Sequence, residues 1–315
     1  MKMMEKDAKI YVAGHRGLVG SAIVRKLKEE GYTNIVTRTH SELDLTDQRA
    51  TREFFEKERP DYVFLAAAKV GGILANSIYR ADFEYVNLMI ECNVIKASYD
   101  YGVKKLLFIG TAAVYPECCP QPIKEEYLLT GPLDSTKEAY AIAKIAGTKM
   151  CQYFDEQYGA NFVSVVPNNL YGPNDNFDLN TSHVIPALIR KFHTAKVTGA
   201  DHVEVWGSGN QRREFLYVDD FADVLLFLMN RYDRREPINV GTGEDISIKE
   251  LAETIEKIVG YEGNIVFDTT KPDGALRRLL EVSKLNALGW KYKVDLETGL
   301  KMTYEAFLKH LEKDL

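Results

Sequence analysis

Cysteine is scarce: the 315 residues contain four, Cys92, Cys118, Cys119 and Cys151. That is too few for a disulfide framework, and no pair has the Cys-x-x-Cys spacing of zinc or redox sites, so a reducing cytoplasm is the expected compartment. Positive charge is not in excess either. Forty Lys and Arg stand against 46 Asp and Glu, a net charge of -6, and such a field repels nucleic acid and anionic lipid, so any bound phosphate has to be met locally. Long hydrophobic runs are missing. Stretches such as Val63 to Ala68 fall far short of the about 20 residues a spanning helix needs, and Met1 to Lys9 is short and charged with no apolar core. Neither a membrane span nor a signal peptide is expected. No internal repeat, low-complexity tract or linker interrupts the chain.

What remains is an ordinary globular balance, 45% hydrophobic and 27% charged, in a chain of about two domains at roughly 150 residues each. Short apolar runs alternate with amphipathic segments. Strands are predicted at Ile10 to Ala13, Asn34 to Thr37, Tyr62 to Ala67, Lys105 to Ile109 and Phe162 to Val166. Continuous apolar runs of this kind read as strands buried on both faces, hence a doubly wound parallel sheet. Val19, Ala22, Ile23 and Leu27 share one face of a helix ending near Gly31. A second helix from about Asp47 carries Ala50, Phe54 and Phe55 and stops before Pro60. Beyond Pro167 the alternation breaks into Asn, Gly and Pro clusters over 168 to 180, a helix from His183 to about His193, short strands near Trp206 and Phe215, a buried helix over Asp219 to Arg231 and a strand at Ile238 to Val240.

The first strand runs into Gly14-His15-Arg16-Gly17-Leu18-Val19-Gly20. Gly14 permits a tight turn, Gly17 lets backbone N–H groups approach a pyrophosphate at the helix N-terminus, and Gly20 lets helix and strand pack closely. A dinucleotide is the expected ligand, in a Rossmann-type domain of residues 1–167 plus about 215–240. A smaller, discontinuous C-terminal substrate lobe takes about 168–214 plus 241–315. The second strand ends Val36-Thr37-Arg38-Thr39-His40, without the acid that would accept from an NAD ribose. Arg38 with Arg16 suits a 2′-phosphate instead, which favours NADP(H). The alternative is that both arginines are solvated surface charges, with Asp44 or Asp47 near the adenine.

Tyr140 and Lys144 are four apart, on one face of a helix. A phenol is a poor acid–base group at neutral pH, and a cation beside it lowers its pKa toward the working range. Thr111, just after the strand that ends at Ile109, is placed to hold a substrate carbonyl.

Through these motifs the sequence resembles the extended short-chain dehydrogenase/reductase family over almost its full length. Within it, the sequence is similar to the branch that epimerises and reduces GDP-linked 4-keto-6-deoxy sugars. The strings that carry the resemblance are Ala13 to Gly20, Ala68-Lys69-Val70-Gly71-Gly72-Ile73, Tyr140 to Gly147, Asn169-Leu170-Tyr171-Gly172-Pro173-Asn174-Asp175-Asn176-Phe177, Ser182 to Leu188, Trp206-Gly207-Ser208-Gly209, Arg213-Glu214-Phe215 and Lys271-Pro272-Asp273-Gly274. The resemblance implies that NADPH gives hydride to the C4 ketone while Tyr140 donates the proton, Lys144 tunes it and Thr111 orients the oxygen. It places Ala67, Asn87 and Pro167 around the cofactor, and Asn169, Lys191, Trp206, Arg213 and Lys271 around the nucleotide sugar. His183 becomes the general acid of epimerisation at C3 and C5, a role suited to a side chain that changes charge near neutral pH. It also implies a homodimer through two long helices, about Ala81 to Tyr101 and Ala139 to Tyr158.

The pattern breaks most sharply at one position. Gly110-Thr111-Ala112-Ala113-Val114-Tyr115-Pro116 has Ala113 where the family carries a cysteine whose thiolate removes the protons alpha to the ketone. A methyl group takes no proton, and Cys118 and Cys119 lie beyond Pro116. The chain is then either a reductase whose epimerisation is absent or performed by a partner, or a chain altered at this position. His40 and Lys191 stand where relatives carry arginine. Two rival functions stay open: a UDP- or dTDP-hexose 4-epimerase or 4,6-dehydratase with tightly held NAD, against which Arg16 and Arg38 speak, and a non-catalytic NADP(H)-sensing module, which needs no matched phenol and ammonium.

Overall fold

The computed structural model describes residues 3–271 and 273–313; Met1, Lys2, Asp314, Leu315 and Pro272 of the Lys271 to Gly274 string lie outside them. The strands are β1 (Ile10–Ala13), β2 (Ile35–Val36), β3 (Tyr62–Leu65), β4 (Lys105–Ile109), β5 (Phe162–Pro167), β6 (Asn169–Tyr171), β7 (His202–Trp206), β8 (Arg212–Arg213), β9 (Phe215–Tyr217), β10 (Ile238–Val240), β11 (Ile246–Ser247), β12 (Asn264–Asp268) and β13 (Arg277–Arg278). The helices are α1 (Leu18–Glu29), α2 (Gln48–Glu58), α3 (Ile73–Ile78), α4 (Arg80–Asp100), α5 (Glu138–Tyr158), α6 (Val184–Thr198), α7 (Val218–Arg231), α8 (Ile248–Val259), α9 (Ser283–Ala287) and α10 (Leu296–Lys313).

Six strands pair in parallel in the order β10-β5-β4-β3-β1-β2. Every residue of β1, β3, β4 and β5 is buried, as expected of largely apolar strands covered on both faces, with Lys105 and Ser164 the polar exceptions. On one face Ala22, Ile23 and Leu27 of α1 pack with Phe221, Val224, Leu225 and Leu228 of α7. On the other, Phe54 and Phe55 of α2, Val94 and Ile95 of α4 and Cys151 of α5 form a second core. A third core joins α6, α8 and α10 to β7 through Leu188, Phe192, Leu251, Ile255, Phe307 and Val203. Each fully buried aromatic or branched side chain here contributes on the order of 1.5–3 kcal/mol.

The strand order reverses at β1, with β2 on one side of it and β3 on the other. The crevice outside the carboxyl ends of those two strands is where such sheets take ligands. β3 stops at Leu65 rather than Ala67, because Ala66 and Ala67 turn out of the sheet to line that crevice. β2 is shorter than its apolar run, a half-buried edge of two residues. Helix α2 begins on Asp47, which accepts from the Ala50 N–H at 3.0 Å, and ends on left-handed Arg59 before Pro60. Helix α6 continues past His193 to Gly199 at φ +70° because Phe192 and Ala195 keep its inward face apolar for another turn. Among the described residues no helix is long and apolar enough to cross a membrane.

Candidate active site

A cavity of about 650 Å³ occupies the crevice at the carboxyl ends of the sheet. Gly14, Gly17, Leu18, Val19, Gly20, Arg38, Ala67, Thr111, Ala113, Tyr140, Lys144, Pro167, Asn169, His183 and Arg213 all line it. The glycine turn has the geometry its spacing implies. Gly14 is at φ +81°, and a Cβ there would fall 2.8 Å from the Ala66 carbonyl oxygen, while one on Gly20 would overlap the Gly14 carbonyl. These are backbone atoms that have no room to retreat. Gly17 caps α1 with no side-chain hydrogen bond, so the orphan N–H groups of the first turn are left for an anion at the cavity wall.

At the outer edge Arg38 lines the cavity, with Nη2 donating to Glu58 Oε1 at 2.6 Å and Nη1 to the Thr37 carbonyl at 2.7 Å. Arg16 is exposed on the glycine turn and does not line the cavity. Thr39 hydrogen bonds, and then the Arg38 and Arg16 charges, hold the Glu42 carboxyl below its usual range, so both guanidinia lie at one edge. Asn87 also stays out of the lining: it sits behind the wall, bonding the Lys69 N–H and carbonyl at 2.9 and 3.0 Å. These features fit a phosphorylated dinucleotide, with pyrophosphate at α1 and a further phosphate at the arginine edge.

Helix α5 presents Tyr140 and Lys144 one turn apart, and β4 delivers Thr111 opposite them. Thr111 Oγ1 accepts from the Ala113 N–H at 3.3 Å, which leaves its own hydrogen free to donate. The Lys144 ammonium lies 6.0 Å from the Tyr140 ring centre and donates to the Ile109 carbonyl at 3.1 Å. It pairs with the buried Glu91 of α4, also at 3.1 Å. The expected lowering of the Tyr140 pKa is therefore not what this arrangement gives: burial, and after it the Glu91 charge, push the phenol well above its ordinary value. His183 caps α6 without a side-chain bond to it. Its imidazole is pushed down to about 4, by enclosure first and by the Lys137 ammonium second. The ring is walled by protein but open to the water of the cavity, which moderates the push without changing its sign, so His183 is neutral at pH 7 rather than poised to change charge there.

Ala113 faces the same cavity, whereas Cys118 is exposed, Cys119 is half-buried and neither lines it. Burial pushes the Cys119 thiol up, away from a thiolate. At the far end Arg213, Arg278 and Lys137 converge with Asp134; Lys137 Nζ is 4.0 Å from Asp134 Oδ2. Burial and then Arg278 bring the Arg213 guanidinium down to about 10. This cationic end suits a diphosphate. Asn169 donates to the Glu214 carbonyl at 2.9 Å. Lys191, Trp206 and Lys271 do not line the cavity but form a group of their own, with the two ammoniums 5.6 and 5.4 Å from the half-exposed Trp206 ring.

Sequence reasoning missed Glu91, Asp134, Lys137, Asp175 and Arg278. Glu91 alone left a signal: with Phe83, Asn87, Val94 and Ser98 it completes the buried face of α4, so it had to meet a cation.

Sheet, glycine turn and Tyr140–Lys144 helix together define a dinucleotide-binding protein of the short-chain dehydrogenase/reductase type. The sequence pattern of the NAD dependent epimerase/dehydratase family matches residues 10–241, and the chain belongs to that family. It is 59% identical over 309 residues to putative GDP-L-fucose synthase 2 of Arabidopsis thaliana, covering 98% of this chain and 94% of the relative. It is 51% identical to GDP-L-fucose synthase of Escherichia coli, covering 97% and 98%. Among solved structures, the GDP-mannoheptose C4 reductase of Campylobacter jejuni with NADP bound superposes with a TM-score of 0.90 at 44% identity, covering 97% of this chain and 99% of that one.

Proposed function

We propose that this chain is an NADPH-dependent reductase of the C4 ketone of a GDP-linked 4-keto-6-deoxy-hexose that does not itself epimerise C3 and C5, so that it forms GDP-L-fucose only from a ketone already epimerised by a partner, and a close relative unchanged at C3 and C5 from the unepimerised ketone. The observation that carries the reading is one cavity shared by the glycine turn, Thr111, Tyr140 and His183, with Ala113 at the position of the expected base. Bound NADPH supplies the hydride. Gly14, Gly17 and Gly20 shape its pyrophosphate seat, and Arg38, with Arg16 at the rim, meets the 2′-phosphate.

Thr111 donates its free hydroxyl hydrogen to the C4 oxygen, and Tyr140 delivers the proton as negative charge develops there. A phenol held protonated by burial is the form an acid needs. Neutral His183 contributes an N–H donor to the sugar. Arg213, Arg278 and Lys137 hold the diphosphate, and the Lys191–Trp206–Lys271 group extends the surface available to the nucleotide. Proton removal alpha to the ketone has no thiolate to perform it. Relatives named GDP-L-fucose synthase and one named GDP-mannoheptose C4 reductase are similar to this chain, and Ala113 favours C4 reduction alone.

The division of labour follows the sheet: residues 1–167 plus about 215–240 bind the dinucleotide, and about 168–214 plus 241–315 bind the sugar. A cytoplasmic homodimer completes the proposal. Tyr85 on α4 and Ile142 and Tyr153 on α5 are exposed at 63%, 41% and 56%, which supports pairing of these helices with those of a second copy; sedimentation as a monomer at micromolar concentration would remove that part. Incubation with GDP-4-keto-6-deoxymannose should oxidise NADPH and yield a C4-reduced sugar, and no oxidation at saturating substrate would overturn the function.

A further inference from the structure

Glu91 lies on the inward face of α4 with its side chain 1% exposed, and its cationic partner Lys144 on α5 is 3% exposed. A carboxylate in such surroundings is strongly unfavourable unless a cation meets it. A second feature points to the same group. Gly147, one turn beyond Lys144, leaves a notch: a Cβ there would fall 2.5 Å from Glu91 Oε2 and 2.5 Å from the Phe108 ring. A glycine in the middle of a 21-residue helix weakens it relative to alanine, and here it opens the room that the carboxylate fills. Lys144 Nζ is held from the remaining side by the Ile109 carbonyl and the face of Phe108, 4.7 Å from the ring centre.

The groups around this pair are few. From α5 they are Tyr140, Lys144 and Cys151, and from α4 itself Cys92. Strands β4 and β5 contribute Phe108, the Ile109 carbonyl and Ser164, while the one charge on them, Lys105, is bound to the Leu228 and Tyr232 carbonyls and Asp233. Tyr140 thus has a negative as well as a positive neighbour. An ammonium alone stabilises the phenolate, the form that takes a proton from an alcohol. With a carboxylate behind the ammonium that help is offset, and the phenol, the form that reduction consumes, is retained.

Resting on the reductase reading above, we propose that Glu91 is a positioning residue of the reaction: it anchors the Lys144 ammonium, offsets its charge, and so biases Tyr140 toward giving a proton to the C4 oxygen rather than taking one from a C4 alcohol.

The test is the pH dependence of NADPH-driven reduction in Glu91→Gln, which keeps the shape and removes the charge. Losing the carboxylate eases ionisation of Tyr140 and so moves the alkaline limb of kcat/KM to lower pH. A displacement of about one pH unit or more is expected, with the reverse oxidation of the product about tenfold faster at neutral pH. Glu91→Asp, which retains the charge, should return the limb toward that of the parent even if its Tm is lower. Superimposable profiles for Glu91→Gln and the parent overturn the proposal, whatever happens to Tm or to the overall rate. If Glu91→Gln does not fold, 13Cζ-tyrosine labelling of the parent decides: the resonance absent from Tyr140→Phe must stay in its phenol form to about pH 10, and earlier ionisation overturns the proposal. Failure of the parent to oxidise NADPH would count against the function, whereas an unmoved Glu91→Gln profile counts against this inference alone.

Discussion

Replacing Arg38 by Ala tests how the site chooses its cofactor. The guanidinium has five N–H donors. Two nitrogens are engaged inside the protein, at 2.6 Å from Glu58 and 2.7 Å from the Thr37 carbonyl, and the rest of the group lies against the cavity, 5.4 Å from the Phe54 ring centre. A hydrogen bond to a charged group is worth about 1.5–3 kcal/mol, so the variant should lose about 10- to 150-fold in its preference for NADPH over NADH. Stability should change little. Glu58 keeps Lys9 at 3.4 Å as a partner, and pairs of this partly exposed kind are worth about 0–1 kcal/mol. The assay is the ratio of kcat/KM values for NADPH and NADH at fixed sugar substrate, repeated at higher salt to screen the rim charge of Arg16. A ratio within about twofold of the parent's would refute the assignment of Arg38 to the 2′-phosphate.

Ala113→Cys should introduce solvent deuterium at C3 and C5 of the sugar in the presence of the oxidised cofactor, read by NMR or mass; exchange at parental level in the variant would mean that position 113 does not limit epimerisation. Asp175 lines the cavity, and burial pushes its carboxyl up to about 7. Between the ordinary aspartate range and that value the folded chain therefore holds a proton the unfolded chain has released, so this group's contribution to stability falls as pH rises through the window. The Tm of the ligand-free parent should drop more between about pH 5 and about pH 8 than that of Asp175→Asn, and parallel curves would dismiss the idea.

The parallel sheet was legible because apolar residues dominate its strands, with Lys105 in β4, Ser164 in β5 and Asn239 in β10 as buried exceptions: β1, β4 and β10 keep the predicted bounds. The glycine turn was legible for a related reason, since close backbone approach at Gly14 and Gly20 leaves only glycine as a solution. Boundaries set by tertiary context were not. Helix α6 ran past His193 because packing, not a local stop signal, decides where it ends. The small sheet β11-β8-β13 joins residues around 212, 246 and 277, two-residue strands with no periodicity to read.

The site divided along the same line. Tyr140 and Lys144 announce themselves by helical spacing, but what that spacing does depends on Glu91, 53 residues before Lys144. The sign expected for the Tyr140 pKa was wrong because a cation four residues away was counted, whereas burial of the phenol, the larger effect, and the anion on the neighbouring helix were not. Arg278 and Lys137 reach the cationic end from segments 141 residues apart, and no local pattern connects them.

Single-turnover NADPH oxidation by Tyr140→Phe, with the GDP-4-keto-6-deoxy sugar saturating, tests the central claim most directly. The phenyl ring keeps the wall of the cavity and removes only the proton donor, so the rate should fall by about 10²- to 10⁴-fold. Oxidation at the parent's rate would contradict the account, because the proton would then reach C4 from some group other than Tyr140.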